Sequence, residues 1–420
     1  MNITITPHRL EGAITPPPSK SQAHRLLISA ALSDGRSVLT GLGDSQDITA
    51  TRRCLSALGA GIEDLWENAV RVHGLGASLV QAGPVPLLDC GESGSTLRFL
   101  IPVALLVNGG AALTGHGRLM ERPLQPYEDL FREKGVAWEI RNGVLRLDGG
   151  RGCDRLALDP GEYRLPGNVS SQFFTGLLFA LPLLDGDSTL IPTTPLESRD
   201  YLELTRQAQT LAGVRSQWRG DALFIPGGQR YQPFTASVEA DWSQAAFWYA
   251  AGGVGNAVTV TGMAADSRQG DRVILDCGRR LMESGSDVTL DMSGCPDLLP
   301  PLAAWAALRG GGVTVLANAG RLRLKESDRL KSVTAVLRAL GADVTETPDS
   351  LVIRGRESLP GGAETDCWGD HRIAMMAAIA ATRCREPVTL SGAECVSKSY
   401  PGFWEDYRML GGIIHEHPGA

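Results

Sequence analysis

The chain has 420 residues, enough for two or more domains with cores of their own. Hydrophobic residues make up 43% and charged residues 21%, as in globular proteins, and no stretch approaches the roughly 18 uninterrupted apolar residues of a membrane span. The formal net charge of −7 argues against a nucleic-acid surface, so we expect neither a nucleic-acid nor a membrane partner, and any anionic ligand must be held by local cations.

The first predicted helix has cations and hydroxyls at its N-terminal end. In "PPPSKSQAHRLLISAAL" (16–32), prolines end a strand, and Lys20, Ser21 and Arg25 occupy the first turns of an apolar run. A helix N-terminus already carries free N–H groups and partial positive charge, and an ordinary one prefers Asp or Glu. An anion site needs such a pattern, but for one helix alone a serine cap followed by solvated charges is the simpler interpretation, and recurrence of the pattern would favour the anion site.

The unit that begins with this helix recurs along the chain. Each copy has a polar or glycine-rich opening, an apolar helix, a turn and a short β-like run. The six copies are "SKSQAHRLLISAALSDGRSVLTGL" (19–42), "GESGSTLRFLIPVALLVNGGAALTG" (91–115), "GNVSSQFFTGLLFALPLLDGDSTLIP" (167–192), "ADWSQAAFWYAAGGVGNAVTVTG" (240–262), "PDLLPPLAAWAALRGGGVTVLAN" (296–318) and "DHRIAMMAAIAATRCREPVTLSG" (370–392). Helices that are apolar on all sides must be buried, so we expect six inner helices with strands outside them.

A second unit alternates with the first: an amphipathic helix, a strand, a turn and another strand. It occupies 47–74, 122–149, 198–228 and 327–355, with weaker copies at 267–291 and 398–415. The chain therefore reads as six βαβαββ-like units of an α/β protein, and three units per domain is the simplest partition.

The helix starts collect hydroxyls, cations and a few acids. Besides those of the first helix, they are Glu92, Ser93, Gly94, Ser95, Thr96, Arg122, Asn168, Ser170, Ser171, Gln172, Ser198, Arg199, Tyr201, Asp241, Asp297, Lys325, Glu326, Arg329, Asp370, His371, Arg372 and Lys398. If the buried helices share a direction within each domain, these ends converge in a cleft between domains. Such a cleft suits phosphates and carboxylates, with Asp297 and Glu326 as candidate proton-transfer groups. Asp241 and Asp370 are interpreted as helix caps or orienting groups.

No cofactor or metal is indicated. The eight cysteines form no C-x-x-C pair and read as reduced thiols of a cytoplasmic protein. The seven histidines have no metal-ligand spacing. There is neither a P-loop nor a G-x-S-x-G motif.

Several of these motifs together resemble the 5-enolpyruvylshikimate-3-phosphate (EPSP) synthase family. The matching runs, in family order from about residue 7 to 411, are "PPSKSQAHR", "CGESGSTLRF", "ERP", "LPGNVSSQF", "ESRDYLELT", "PDLLPPLAAWAA", "LKESDRL", "DHRIAMM" and "VSKSYPGFWEDY". The runs with SKS, KESDRL and DHR are specific in combination.

The resemblance implies two similar domains, each of three βαβαββ units in an inside-out α/β barrel, with the active site in the cleft between them. One domain is discontinuous, 1–17 plus 239–420, and the other is 18–238. It also implies enolpyruvyl transfer from phosphoenolpyruvate to the 5-hydroxyl of shikimate 3-phosphate, with release of phosphate, in the shikimate pathway to chorismate and the aromatic amino acids. No cofactor takes part, and we expect a monomer.

Roles follow from the resemblance residue by residue. Those implied for shikimate 3-phosphate belong to Lys20, Ser21, Arg25, Ser170, Ser171, Gln172, Ser198, Tyr201, Asp297 and Lys325. Those implied for phosphoenolpyruvate belong to Lys20, Gly94, Arg122, Gln172, Arg329, Arg372 and Lys398. In catalysis, Asp297 would take the hydroxyl proton, Lys20 would polarise that hydroxyl, and Glu326 would protonate the methylene carbon.

The second apolar helix departs from the family pattern. Its "GESGSTLRF" stands where the best-known members have "GNAGTAMRP", so that Glu92, Ser93, Ser95 and Phe99 differ. Gly94 remains, and the resemblance then implies inhibition by glyphosate at the phosphoenolpyruvate site.

Three other functions fit the sequence less well. Enolpyruvyl transfer to a UDP-sugar is disfavoured because that class has Lys-Asn at positions 20–21 and a loop cysteine, which "TGHGRLMERPLQP" lacks. A non-catalytic anion-binding protein would not be expected to retain the acids and cations together. RNA-end cyclases share the repeat but use a nucleophilic histidine and a nucleotide.

Overall fold

The computed structural model describes residues 1–76, 84–150, 158–283 and 286–417. The chain divides into two compact units: residues 18–239, here the continuous unit, and residues 1–17 with 240–420, here the discontinuous unit. Among the described residues, no helix combines the length and apolarity needed to cross a membrane.

Twelve α-helices lie within the described residues. They are α1 (Lys20–Ala31), α2 (Gln46–Ala57), α3 (Gly94–Asn108), α4 (Gln125–Glu133), α5 (Ser171–Ala180), α6 (Arg199–Leu211), α7 (Trp242–Gly253), α8 (Ile274–Met282), α9 (Leu299–Ala307), α10 (Arg329–Ala339), α11 (His371–Ala381) and α12 (Phe403–Met409).

The odd-numbered helices are the six that the sequence predicts to be buried, and this prediction is confirmed. Most side chains of each are buried, and in α9 and α11 every one is. The amphipathic helices between them, such as α4 and α6, bury one face and expose the other. Apolar residues on all sides therefore place the first set in the cores, as expected.

The described residues also contain 24 strands. They are β1 (Asn2–Thr6), β2 (Glu11–Ile14), β3 (Arg36–Thr40), β4 (Gly61–Trp66), β5 (Ala69–His73), β6 (Leu87–Asp89), β7 (Gly110–Thr114), β8 (Ala137–Arg141), β9 (Val144–Asp148), β10 (Gly161–Leu165), β11 (Ser188–Pro192), β12 (Gln217–Arg219), β13 (Ala222–Ile225), β14 (Thr235–Ser237), β15 (Ala257–Val260), β16 (Val288–Asp291), β17 (Val313–Ala317), β18 (Asp343–Glu346), β19 (Leu351–Arg354), β20 (Leu359–Gly361), β21 (Glu364–Asp366), β22 (Cys384–Glu386), β23 (Val388–Ser391) and β24 (Ile413–His417).

The continuous unit repeats one sheet three times, in the orders β14-β3-β5-β4, β6-β7-β9-β8 and β10-β11-β13-β12. In each, the first two strands are parallel and the remaining pairs are antiparallel. The strand that follows the buried helix is second in each sheet. The mixed α/β repeat of the prediction is confirmed in this unit.

The discontinuous unit builds one such sheet, β16-β17-β19-β18, and completes two others, β21-β23-β1-β24 and β15-β2, with strands of the N-terminal segment. Strand β1 lies antiparallel between β23 and β24, with Asn2 opposite both Ser391 and His417. Strand β15 pairs in parallel with β2, and β20 with β22. The fourth predicted unit thus differs from a plain βαβαββ repeat, because its strand pairs with residues from the start of the chain.

Each unit has its own hydrophobic core. The core of the continuous unit draws on residues from Ala23 to Val238, and that of the discontinuous unit on residues from Ile3 to Ile14 and from Trp242 to Leu410. The seven cysteines in the described residues are buried free thiols. The eighth, Cys153, lies outside the described residues.

Candidate active site

In the continuous unit, the start of α1 carries a paired lysine. Ser19 caps the helix by accepting the backbone N–H of Gln22 at 3.4 Å. Lys20 Nζ lies 2.8 Å from Asp47 Oδ2, in the first turn of α2. Asp47 was not singled out from the sequence, because an acid in a first helical turn is ordinary. Here it fixes where the Lys20 ammonium lies.

Arg25, one turn further along α1, is buried among neutral groups. Its Nε donates to Thr205 Oγ1 at 2.9 Å and its Nη1 to the carbonyl of Ser21 at 2.6 Å. The guanidinium lies over the rings of Phe99 and Tyr201, 5.1 and 5.8 Å from their centroids. Burial lowers the pKa of Arg25 to about 10, which still leaves it charged at neutral pH. An anionic ligand suits such a cation.

At the start of α3, Gly94 lies against a guanidinium. Ser93 caps the helix by accepting the backbone N–H of Thr96 at 3.1 Å, and Gly94 is the first helical residue. Arg122, buried at the end of the 3₁₀ turn Leu119–Glu121, is so close that a Cβ on Gly94 would lie 2.7 Å from its Nη1. The structure thus brings together two residues that the sequence assigns to one anion.

The start of α5 holds Ser170, Ser171 and Gln172. Ser170 caps the helix by accepting the backbone N–H of Gln172 at 3.3 Å, and Ser171 is its first residue. Gln172 Oε1 accepts Arg98 Nη1 at 2.7 Å, and its Nε2 donates to Ser95 Oγ at 3.0 Å. These two bonds fix which end of the amide is the donor.

Arg98 is a residue that the sequence argument missed. Its Nη2 donates to the carbonyl of Pro123 at 3.0 Å, directly after Arg122. It therefore ties Gln172 to the segment that carries Arg122. A cation inside the apolar run "STLRFLIP" was the available signal.

Ser198, before α6, has a strained backbone. Its φ of +55° and ψ of +46° are left-handed, a region that few residues other than glycine adopt. Its carbonyl accepts the backbone N–H of Tyr201 at 3.1 Å, and its side chain is buried. Such outliers cluster at functional sites, which supports the choice of Ser198 as a site residue.

In the discontinuous unit, three carboxylates surround Arg329, the first residue of α10. Its Nη1 lies 2.7 Å from Asp297 Oδ1, its Nη2 2.8 Å from Glu326 Oε2 and its Nε 2.9 Å from Asp370 Oδ2. Arg329 and Asp370 are almost completely buried. The structure thus brings both sequence-predicted acids to one guanidinium.

Arg372, on the first turn of α11, also contacts Asp297. Its Nη2 lies 3.1 Å from Asp297 Oδ2 and donates to Ser243 Oγ at 3.0 Å. Ser243 in turn donates to Asp241, the cap of α7. Asp370 caps α11 by accepting the backbone N–H of Arg372 at 3.0 Å. The interpretation of Asp241 and Asp370 as capping and orienting groups is confirmed, whereas Ser243 was not found from the sequence.

The charges around Asp297 set its protonation. Burial alone would raise the pKa of Asp297, but Arg372, Lys325 and Arg329 outweigh it and hold this pKa well below its usual range. Lys325 Nζ lies 3.9 Å from Asp297 Oδ1. Burial lowers the pKa of Lys325 from 10.5 to about 8, although Asp297 opposes the shift. Asp297 is therefore ionised, and Lys325 titrates close to neutral pH.

Lys398 lies near the start of α11. It ends the 3₁₀ turn Ala393–Lys398, and its Nζ donates to the carbonyl of Gly369 at 2.7 Å, next to Asp370. Among the described residues, no group of three or more His, Cys, Asp or Glu is placed to hold a metal ion.

Comparison with known proteins gives one family. A family model described as EPSP synthase (3-phosphoshikimate 1-carboxyvinyltransferase) matches residues 5–407. Proteins named 3-phosphoshikimate 1-carboxyvinyltransferase are similar over 99% of this chain and 98% of their own length: one from Clostridium kluyveri at 45% identity and one from Clostridium acetobutylicum at 43%. A solved EPSP synthase structure from Acinetobacter baumannii, 24% identical, matches 99% of this chain and 100% of its own with a TM-score of 0.79, and so shows the same fold.

Proposed function

Because the chain belongs to the EPSP synthase family and so transfers the enolpyruvyl group of phosphoenolpyruvate to shikimate 3-phosphate, we propose which of its side chains bind the substrates and which move protons. One observation carries the proposal. Arg329 binds both Asp297 and Glu326, and Arg372 binds Asp297. The two candidate proton-transfer acids and the two arginines proposed to bind phosphoenolpyruvate therefore form one cluster.

Shikimate 3-phosphate is held by hydroxyls, helix N-termini and cations. Its phosphate suits Ser170 and Ser171 at the N-terminal end of α5, where free backbone N–H groups and the helix dipole favour an anion. Arg25 suits its carboxylate, because the guanidinium is fixed by Thr205 and two rings and its partners in the described part of the chain are neutral. The remaining contacts come from Lys20, Ser21, Gln172, Ser198, Tyr201, Asp297 and Lys325.

Phosphoenolpyruvate is held chiefly by guanidinium groups. Arg122 receives the phosphate beside Gly94, where the absence of a side chain lets the backbone approach. Arg329 and Arg372 offer planar forks for the carboxylate. Lys398, Lys20 and the Nε2 of Gln172 complete the set.

The reaction is an addition followed by an elimination. Glu326 gives a proton to the methylene carbon of phosphoenolpyruvate, which places positive charge on the neighbouring carbon. The 5-hydroxyl oxygen bonds to that carbon while Asp297 takes the hydroxyl proton, assisted by Lys20. In the elimination, Glu326 takes a proton back from the new methyl group, the bond between the neighbouring carbon and the phosphate oxygen breaks, and Asp297 gives its proton to the leaving phosphate. These changes restore the double bond, release phosphate and return both acids to their starting states.

Substrate binding also activates the acids. Asp297 and Glu326 bind the same N–H groups of Arg329 that an incoming carboxylate or phosphate uses. Arg372 contributes most to the low pKa of Asp297, followed by Lys325 and Arg329. When the bound anion neutralises Arg372 and Arg329, the pKa of Asp297 rises and the carboxylate becomes a stronger base. Phosphoenolpyruvate thereby prepares the base that its own reaction needs.

The test is phosphate release from phosphoenolpyruvate with either shikimate 3-phosphate or UDP-N-acetylglucosamine. We expect release only with shikimate 3-phosphate. In Asp297→Asn and Glu326→Gln, kcat should fall by about 10²–10⁴-fold. The KM for phosphoenolpyruvate should not rise in Asp297→Asn, because that change frees Arg329 and Arg372 for the ligand. Asp276→Asn, a change of an exposed carboxylate on α8, is the control. Full activity of Asp297→Asn would contradict its role.

The proposal extends to an inhibitor, the oligomeric state and the cellular compartment. Glyphosate binds at the phosphoenolpyruvate side, where Gly94 and Arg122 offer space and charge for a phosphonate. The protein is a monomer, which sedimentation equilibrium would test. It acts in the cytoplasm, where a reducing environment keeps free thiols such as its seven described ones; fractionation of cells would show this.

A further inference from the structure

A chain of buried hydrogen bonds joins the starts of α1, α2 and α3. His24 Nδ1 lies 2.7 Å from Thr51 Oγ1, Thr51 Oγ1 lies 2.7 Å from Thr96 Oγ1, and Thr96 Oγ1 donates to Ser93 Oγ at 2.7 Å. Each of these four residues is at most 1% exposed. Nothing in the substrate roles above uses this chain, here called the hydroxyl relay.

The direction of the protons in the hydroxyl relay follows from counting donors. Each hydroxyl has one proton, and Thr96 gives its proton to Ser93. Thr51 must therefore donate to Thr96, and it can only accept from His24. Nδ1 of His24 then carries the proton, and the buried Nε2 is a bare acceptor with no partner among the described residues.

The charge state of His24 agrees with this assignment. Burial lowers the pKa of His24 well below 6.5, and the positive charges of Lys20 and Arg25 lower it further. The imidazole is therefore neutral, with a single ring proton to place.

The hydroxyl relay lies between the residues proposed to bind the two substrates. His24 lies one turn after Lys20 and next to Arg25, Thr51 lies one turn after Asp47, and Thr96 lies two residues after Gly94. The Phe99 ring adds a second link between α3 and α1. It meets His24 edge to face, with centroids 6.3 Å apart, and lies under Arg25.

We propose that Thr96 is a positioning residue, which through the hydroxyl relay holds Gly94 at the distance from Lys20 and Arg122 that phosphoenolpyruvate requires. This inference rests on the proposed assignment of Gly94 to the phosphoenolpyruvate side. Removing the Thr96 hydroxyl leaves the Thr51 proton without an acceptor in a buried place, and a shift of the first turn of α3 relieves it. Because Gly94 lies so close to Arg122 that a single added carbon would be 2.7 Å from its Nη1, even a small shift of this turn changes the separation of the two residues.

The experiment compares Thr96→Val, which keeps the branched shape, with Thr96→Ser, which keeps the hydroxyl. In Thr96→Val we expect the KM for phosphoenolpyruvate to rise about three- to tenfold, with the KM for shikimate 3-phosphate and kcat within about twofold of wild type. Thr96→Ser should restore the wild-type KM. Thr334→Val, which removes a buried helical hydroxyl with no partner among the described residues, is the matched control. An equal rise of both KM values, or no rise, would overturn the inference.

A second measurement does not depend on activity. Nitrogen-15 NMR of the full chain should show His24 protonated on Nδ1 alone at neutral pH, without the titration near pH 6.5 that an exposed imidazole shows. A proton on Nε2 would contradict the relay. Gly94→Ala distinguishes a wrong assignment of Gly94 from a wrong role for Thr96. If Gly94→Ala also leaves the KM for phosphoenolpyruvate unaltered, the assignment of Gly94 is wrong. If it raises that KM while Thr96→Val does not, only the role of Thr96 fails.

Discussion

At the residue scale, one guanidinium satisfies three acids in the discontinuous unit. Arg329 uses Nε and both terminal nitrogens on Asp370, Glu326 and Asp297. Asp370 is fully buried, whereas the other two side chains are about one-fifth exposed. Asp370 thus acts as the permanent counter-ion that orients Arg329, while Glu326 and Asp297 are the partners that a ligand can replace.

Lys325 makes substrate affinity depend on pH. Its pKa of about 8 means that the ammonium is present below pH 8 and is lost above it. We expect the KM for shikimate 3-phosphate to be constant below about pH 7 and to rise up to tenfold per unit above pH 8. Lys325→Arg, which stays charged, should remove this rise. An unchanged pH profile in Lys325→Arg would exclude Lys325 as its cause.

The same group affects stability with the opposite sign. The unfolded pKa of Lys325 is near 10.5 and the folded one is about 8, so that between these values the unfolded chain binds more protons. The contribution of Lys325 to the free energy of unfolding therefore rises with pH in this window. A free energy of unfolding and a KM for shikimate 3-phosphate that both rise with pH above about 8 would identify Lys325 as the titrating residue.

Gly94→Ala tests the phosphoenolpyruvate side. The added methyl group would lie 2.7 Å from Arg122 Nη1, so the buried guanidinium must move. We expect the KM for phosphoenolpyruvate and the inhibition constant of glyphosate both to rise, on the order of tenfold or more. Gly402→Ala, where an added Cβ meets nothing within 4 Å, should change neither constant. Equal sensitivity to glyphosate in wild type and Gly94→Ala would contradict the proposed binding place.

At this scale the sequence predicts residue types better than their partners. Asp241 and Asp370 could be recognised as caps, because small polar residues directly before apolar helices satisfy free N–H groups. Asp47 and Ser243 could not be recognised, because their importance lies in contacts with Lys20 and Arg372, far away in the chain. Only the folded chain shows such pairs.

At the element scale, helix periodicity was the most informative signal and strand pairing the least. The six apolar helices were evident, because residues apolar on every side leave no surface for water. The pairing of β15 with β2 was not, since strands of four residues carry no mark of their partners. The place of β1 between β23 and β24 likewise depends on contacts between opposite ends of the chain.

Two adjacent glycines of α7 test how its end is packed. A Cβ on Gly253 would lie 1.9 Å from the Trp305 ring of α9, whereas one on Gly252 would find its nearest neighbour at 3.8 Å. Gly253→Ala should destabilise the discontinuous unit by about 1–3 kcal/mol through overpacking. Gly252→Ala should be neutral or stabilise by up to about 1 kcal/mol through helix propensity. Calorimetry of both variants measures the difference, and equal melting temperatures would refute this packing.

At the scale of the whole molecule, the two cores have separate memberships. The continuous unit closes its core with residues 18–239 alone, whereas the discontinuous unit needs Ile3 and Ile5, both fully buried on β1. A unit that contains its whole core should fold alone, and one that lacks a central strand should not.

Three fragments test this division. Residues 18–239 should unfold cooperatively on heating, as followed by circular dichroism. Residues 240–420 should fail to do so, because β23 and β24 lose β1 and β15 loses β2. Joining residue 420 through a Gly/Ser linker to residues 1–17 should restore folding, because Asn2 and His417 are opposite each other. Cooperative unfolding of 240–420 by itself would contradict the role of the N-terminal strands.

The place of β1 between β23 and β24 also sets an order of events on the ribosome. Residues 1–17 are translated before the rest of both units, and β23 and β24 follow roughly 20 to 75 s later at ordinary elongation rates. Meanwhile the continuous unit leaves the exit tunnel complete and can fold. The nascent chain therefore carries a folded body with an unpaired apolar strand ahead of it, and such a strand is open to chaperones or to pairing with a neighbouring chain. The emergence of β23 and β24, rather than that of any one helix, is the step that lets β1 take its place.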